Sequence, residues 1–139
     1  KVTEFYEDAV VAVIGENHPL AAEPCFPTSK LDQYPYIQSL VSSEREVDDI
    51  FDRYGKKADV AYRVDNDFTM LSMISSGFGF AIFPELLMKH LNFPILIKPF
   101  EPQESRKIGF AVRAAGPASS AVKSFQETAQ AWLQQWELE

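Results

Sequence analysis

Apolar residues fall in short runs along this chain, and the period of the pattern switches repeatedly between that of a strand and that of a helix. Asp8 to Ile14 (DAVVAVI) is a nearly continuous β-branched run, which predicts a strand covered on both faces. Gly15 to Pro19 reads as a turn. Cys25 to Lys30 is loop-like, with Thr28 and Ser29 able to start one helical turn through Leu31. Tyr36 to Val41 (YIQSLV) is a second strand. It runs into Ser43 and Glu46, which have capping-box spacing. The helix that follows carries Val47, Ile50, Phe51 and Tyr54 on one face and ends before Gly55. Asp59 to Val64 alternates as a strand does. Asp65, Asn66 or Asp67 is placed to cap a helix with Leu71 and Ile74 three apart, stopping at Gly77. Phe78 to Phe83 is another buried strand, and Pro84 opens a short helix through His90. Ile95 to Lys98 and Lys107 to Arg113 are two further strands. Ser119 or Ser120 then caps a long helix with Val122, Phe125, Ala129, Trp132 and Trp136 on one stripe. Strands alternating with helices across short Gly, Pro and Ser turns predict an α/β fold with a mainly parallel sheet.

Composition narrows the class. The 139 residues are about one domain in length, and 46% apolar with 13% aromatic content is enough for a core without disulfides or metals. A formal charge of −7 excludes a generally basic, nucleic-acid-binding surface. The single cysteine, Cys25, allows no internal disulfide and suits a reducing compartment. No apolar run reaches the length of a membrane span.

Candidate chemistry favours binding over catalysis. His18 lies in a His-Pro turn and His90 ends a helix; neither has the spacing of a zinc site, and one cysteine with two distant histidines is a poor metal set. No nucleophile elbow or P-loop lysine motif is present. Gly77-Phe78-Gly79 precedes a strand instead of following one, so it fails as a dinucleotide fingerprint. Cys25 has no basic neighbour to stabilise a thiolate. No cofactor and no metal is expected. In an open α/β sheet, ligands sit at the carboxyl ends of strands, where helix N-termini present free N–H groups. Ser39 to Ser43 offers hydroxyls and amides suited to a carboxylate or similar anion. Asn66-Asp67-Phe68 offers a second helix start, although its acidic residues would repel an anion. Simple helix capping explains either feature equally well.

The order of these features resembles the effector-binding region of bacterial LysR-type transcriptional regulators. AVVAVIGENHPLA (Ala9 to Ala21) is similar to the family's strand and His-Pro-Leu turn, and LDQYPYI (Leu31 to Ile37) to its Leu-x-x-x-Pro-Phe-Ile segment. VDNDFTMLSMISSGFGFAIFPELL (Val64 to Leu87) is the most specific stretch, matching strand, helix, Gly-x-Gly, apolar strand and proline in order and spacing. Ser105 to Gln134 is similar to the final strand and helix. Phe78 is bulkier than the residue usual between the glycines, and Ser42-Ser43-Glu44 replaces a more Gly-rich loop.

The resemblance implies a two-subdomain fold like a type 2 periplasmic binding protein. Residues 1–13 would be a hinge strand leaving subdomain I, 14–105 the Rossmann-like subdomain II, and 106–139 the return strand and C-terminal helix of subdomain I. It implies a small-molecule effector in a cleft lined on one side by Ser39, Ser42, Ser43, Asn66, Phe68, Gly77, Phe78 and Gly79. It also implies a cytoplasmic homo-oligomer, paired through the helix over 44–54 and the strand over 59–64. DNA would be contacted only through an N-terminal domain outside this sequence. The Trp132 and Trp136 stripe would pack on subdomain I. The rival reading on the same architecture is a secreted solute-binding protein of a transport system; the lone cysteine and a start, Lys1 to Asp8, without a leader pattern weigh against it.

Overall fold

The structure is a computed structural model that describes residues 2–40, 44–112 and 119–136; of residues 44–48 and 136 only the backbone is described. The chain divides into two compact units. One combines Lys1–Glu7 with Lys107–Glu139, and the other is Asp8–Arg106.

The larger unit is built on a mixed sheet. β1 (Val2–Gly15), β2 (Phe26–Pro27), β5 (Ala81–Pro84) and β6 (Ile95–Ala111) lie in the order β2-β6-β1-β5. β2 runs parallel to β6, whereas β1 pairs antiparallel with β5, from Val10 opposite Pro84 to Val13 opposite Ala81. β3 (Tyr36–Ser39) and β4 (Val60–Val64) form a parallel pair, and a parallel bridge from Tyr36 to Phe80 ties β3 to the start of β5. The expected mainly parallel sheet is therefore corrected to a mixed one. Apolar runs report burial, not direction, so the antiparallel β1–β5 pair carries no separate signal in the sequence.

The core explains the near-continuous apolar run of β1. Ala12 and Ile14 enter one cluster with Phe26, Tyr36, Phe51, Phe80 and Phe100, while Val11 and Val13 enter another with Ile37, Met70, Leu71, Ile74 and Phe83. Successive side chains of a strand point to opposite faces, so a strand buried on both sides must be apolar at every position. Tyr36 and Ile37, and Phe80 and Ala81, divide between the clusters in the same way.

Two strands exceed their expected bounds. β1 begins at Val2 instead of Asp8, because Val2 to Glu7 lie outside the larger unit's core and carry no buried run. The two strands expected at Ile95–Lys98 and Lys107–Arg113 are one strand, β6. Its middle (Glu101, Pro102, Gln103) is exposed, so these positions need no apolar side chain to stay in the strand. Among the described residues the unit also carries a 3-10 turn at Thr28–Lys30 and the α-helices α1 (Glu44–Arg53), ending two residues before Gly55, α2 (Asp67–Ser75) and α3 (Glu85–Met88). α3 stops short of His90, which turns out of the helix with φ 71°.

In the smaller unit, Phe110 stacks on Phe5 with ring centroids 4.4 Å apart, and Phe125 meets the edge of Phe110 at 5.8 Å. Lys107 pairs with Glu4 at 2.8 Å. α4 (Ser120–Trp136) is capped by Ser119, whose Oγ accepts from the Val122 N–H. Along its stripe, Trp132 is 58% exposed and Phe125 64%. The Trp136 side chain lies outside the described residues.

Candidate functional site at the strand ends

β3 and β4 end together. Ser39 pairs with Val64, and the next N–H, that of Leu40, donates to the Val64 carbonyl at 2.8 Å. Directly beyond Val64, Asn66 caps α2: its side-chain oxygen accepts from the Thr69 N–H at 3.0 Å. The cap forms here because a short amide side chain on extended backbone can reach a free N–H of the first turn. Asp67 stands in that first turn, where its charge favours the helix dipole. Ser39, Leu40, Asn66 and Phe68 are thus brought to one edge of the unit, Leu40 and Phe68 both exposed. Phe68 reaches toward Phe93, with centroids 6.1 Å apart. Ser42 and Ser43 lie outside the described residues.

Gly77, Phe78 and Gly79 are not brought to that edge. The Phe80 N–H donates to the Pro35 carbonyl and the Phe80 carbonyl accepts from Ile37. Gly79 therefore sits beside the first residue of β3, while Ser39 is the last. Three strand steps separate the two ends by about 10 Å, and α2 spans the same gap with about 13 Å of helix. The structure thus does not bring this turn together with Ser39 and Asn66. The physical reason is that α2 runs back against the strands, so its start and its end cannot lie on one edge. Gly79 has a packing reason of its own: with φ at 153°, a Cβ there would lie 2.4 Å from the Pro35 carbonyl oxygen. Phe78 turns outward and meets Tyr62 edge-on at 5.7 Å.

Leu40 lay within the Ser39 to Ser43 stretch but was not singled out, because a leucine there reads as part of the apolar run Tyr36 to Val41. Cys25 and the Nδ1 side of His18 make local hydrogen bonds. His18 Nδ1 accepts from the Leu20 N–H at 3.1 Å, its ring lies 4.7 Å from that of Tyr34, and burial lowers its pKa. The Cys25 thiol donates to Glu101 Oε2 at 3.0 Å, and that bond, before all other causes, raises its pKa and favours the neutral thiol. His90 is exposed. Among the described residues no group of His, Cys, Asp or Glu could hold a metal ion, and no helix is long and apolar enough to cross a membrane.

Comparison with known proteins decides the family. The family profile described as LysR substrate binding domain matches residues 1–134. The chain belongs to the LysR substrate-binding domain family. It is 32% identical over 125 residues to the uncharacterized HTH-type transcriptional regulator YvbU of Bacillus subtilis (strain 168), covering 88% of this chain. It covers only 43% of YvbU, so the chain spans less than half the length of that curated relative. The regulatory domain of CcmR from Synechocystis PCC6803, solved with 2-PG, superposes with a TM-score of 0.81 at 18% identity, over 94% of this chain and 65% of that one. The effector-binding domain of QuiR, solved with shikimate, gives 0.76 at 23% identity, over 97% and 66%. HinK, a LysR family regulator of Pseudomonas aeruginosa, gives 0.81 at 16% identity, over 96% and 48%. These likenesses fix the periplasmic-binding-protein-like fold of the LysR domains. The matched relative is named as a transcriptional regulator, and the transport reading is not favoured.

Proposed function

We propose that this LysR domain is the effector-sensing part of a cytoplasmic, homo-oligomeric transcriptional regulator, with no catalytic role, whose DNA contacts are made by a helix-turn-helix domain outside this sequence. The observation that carries the reading is the family match over residues 1–134 combined with coverage of 43% of a relative named as an HTH-type regulator. The net charge of −7 agrees with a domain that does not itself meet DNA. The effector is a small organic anion, as in the neighbours solved with 2-PG and with shikimate. It binds at the carboxyl ends of β3 and β4, against Ser39, Ser42, Ser43, Asn66 and Phe68. The Gly77–Gly79 turn supports the packing of β3 and β5 instead of touching the ligand. Self-association through α1 and β4 is favoured by β4 pairing on one side only, among the described residues, with Tyr62 exposed on it.

A thermal-shift screen of small organic anions, with shikimate and 2-PG among them, tests the sensing role. A ligand at 100 times its Kd stabilises by about 2.7 kcal/mol, a rise of roughly 8–10 °C for a domain of this size. A saturable rise that leaves the ligand chemically unchanged supports the reading. Turnover of the ligand, or no saturable response to any anion, refutes it.

A further inference from the structure

Just before the larger unit ends at Arg106, one face of β6 carries two ion pairs. Glu104 and Arg106 are two residues apart, so their side chains share a face, and Ser105 between them is exposed. Glu104 is buried. It accepts from the Tyr54 hydroxyl at 2.5 Å and pairs with the Arg53 guanidinium, both at the end of α1. Arg106 Nε donates to Asp8 Oδ2 at 3.0 Å. Asp8, only 1% exposed and the first residue of the larger unit, uses its other oxygen to accept from the Leu86 N–H at the start of α3. The strip therefore ties α1, β1 and α3 to β6 at the residues where both long strands cross out of the unit.

A buried carboxylate that loses its partner is strongly destabilised, so each contact must either stay made or move with its neighbours. We propose that this strip couples the position of α1 to β1 and β6 at the unit boundary, with Tyr54, Glu104 and Asp8 as its positioning residues. A ligand held at the start of α1 would then be felt by the strands that leave the unit; that consequence rests on the effector reading above, whereas the coupling itself does not.

Native-state hydrogen exchange on the full-length protein, without any effector, tests the coupling. The variants are Tyr54→Phe, Asp8→Asn and the double substitution, all conservative in shape. Tyr54→Phe should speed exchange at Leu86 as well as in α1, and Asp8→Asn should speed exchange across 49–53 as well as at Leu86. The double variant should depart from the product of the single effects by at least about 3-fold in the opening constant. The core amides of Val11 to Val13 should keep their wild-type rates. Effects confined to each variant's own end, a double variant equal to the product, or equal acceleration at Val11 to Val13 would each overturn the proposal. Because no effector is present, such a failure leaves the sensing role untouched, and a failure to find an effector leaves the coupling result intact.

Discussion

Replacing Gly79 by alanine separates a packing role for the Gly-x-Gly turn from a ligand-binding one. The new Cβ would lie 2.4 Å from the Pro35 carbonyl oxygen and 3.0 Å from its carbon, both backbone atoms of the strand entry. That oxygen accepts from Phe80 at 3.0 Å, so moving it away loosens the hydrogen bond that starts the β3–β5 contact. Overpacking costs about 1–3 kcal/mol, and an L-residue held at this positive φ adds about 1–3 kcal/mol. A total of about 3 kcal/mol corresponds to a fall in Tm of roughly 10 °C. Gly77→Ala is the control. Its φ is 83°, but no atom lies within 4 Å of the added Cβ, so about 1 kcal/mol and roughly 3–4 °C are expected. Urea and thermal unfolding of both variants measure the difference. If Gly79→Ala is within about 0.5 kcal/mol of wild type, or no worse than Gly77→Ala, the packing explanation is wrong.

Three further outcomes are expected. His18 has a pKa lowered by burial, so its contribution to stability is present above its unfolded value, near 6.5, and is lost as pH falls from there toward the folded value; Tm measured at pH 7.5 and pH 5.5 should fall less in His18→Gln than in wild type, and an equal fall would contradict it. Asn66→Ala should cost about 1 kcal/mol in urea unfolding through loss of the α2 cap, whereas Asn66→Asp should keep the cap yet weaken an anionic ligand at least several-fold by calorimetry; unchanged affinity in Asn66→Asp would remove Asn66 from the site. Ile74→Ala, at a fully buried position of α2, should cost about 2–5 kcal/mol by the same unfolding assay, and a cost below about 1 kcal/mol would mean that α2 is not packed on β1 and β5 as described.

Much of the fold was legible because its signals are local. The DAVVAVI run reports burial on both faces of β1, and the Asn66 amide three residues before Thr69 reports a helix start whatever the tertiary context. What was hidden depends on contacts distant in sequence. The polar centre of β6 read as a break because Glu104 and Arg106 are satisfied by Arg53, Tyr54 and Asp8, residues 50 or more positions away. Glu104 showed nothing to mark it as buried, and Asp8 only its place at the head of the DAVVAVI run. The candidate site was half legible for the same reason. That strands end where capped helices begin is written into Ser39 and Asn66, but the edge reached by Gly77 to Gly79 follows from α2 running back across the unit. The conspicuous Gly-x-Gly motif records a close backbone approach at Pro35.

The most direct test of where this domain senses its effector is amide chemical-shift mapping with a panel of small organic anions, shikimate and 2-PG among them. Saturable shifts should gather at Ser39 to Glu44 and at Asn66 to Thr69, with Gly77 to Gly79 unmoved. Shifts centred on Gly77 to Gly79, or a panel in which no anion moves the ends of β3 and β4, would contradict the assignment.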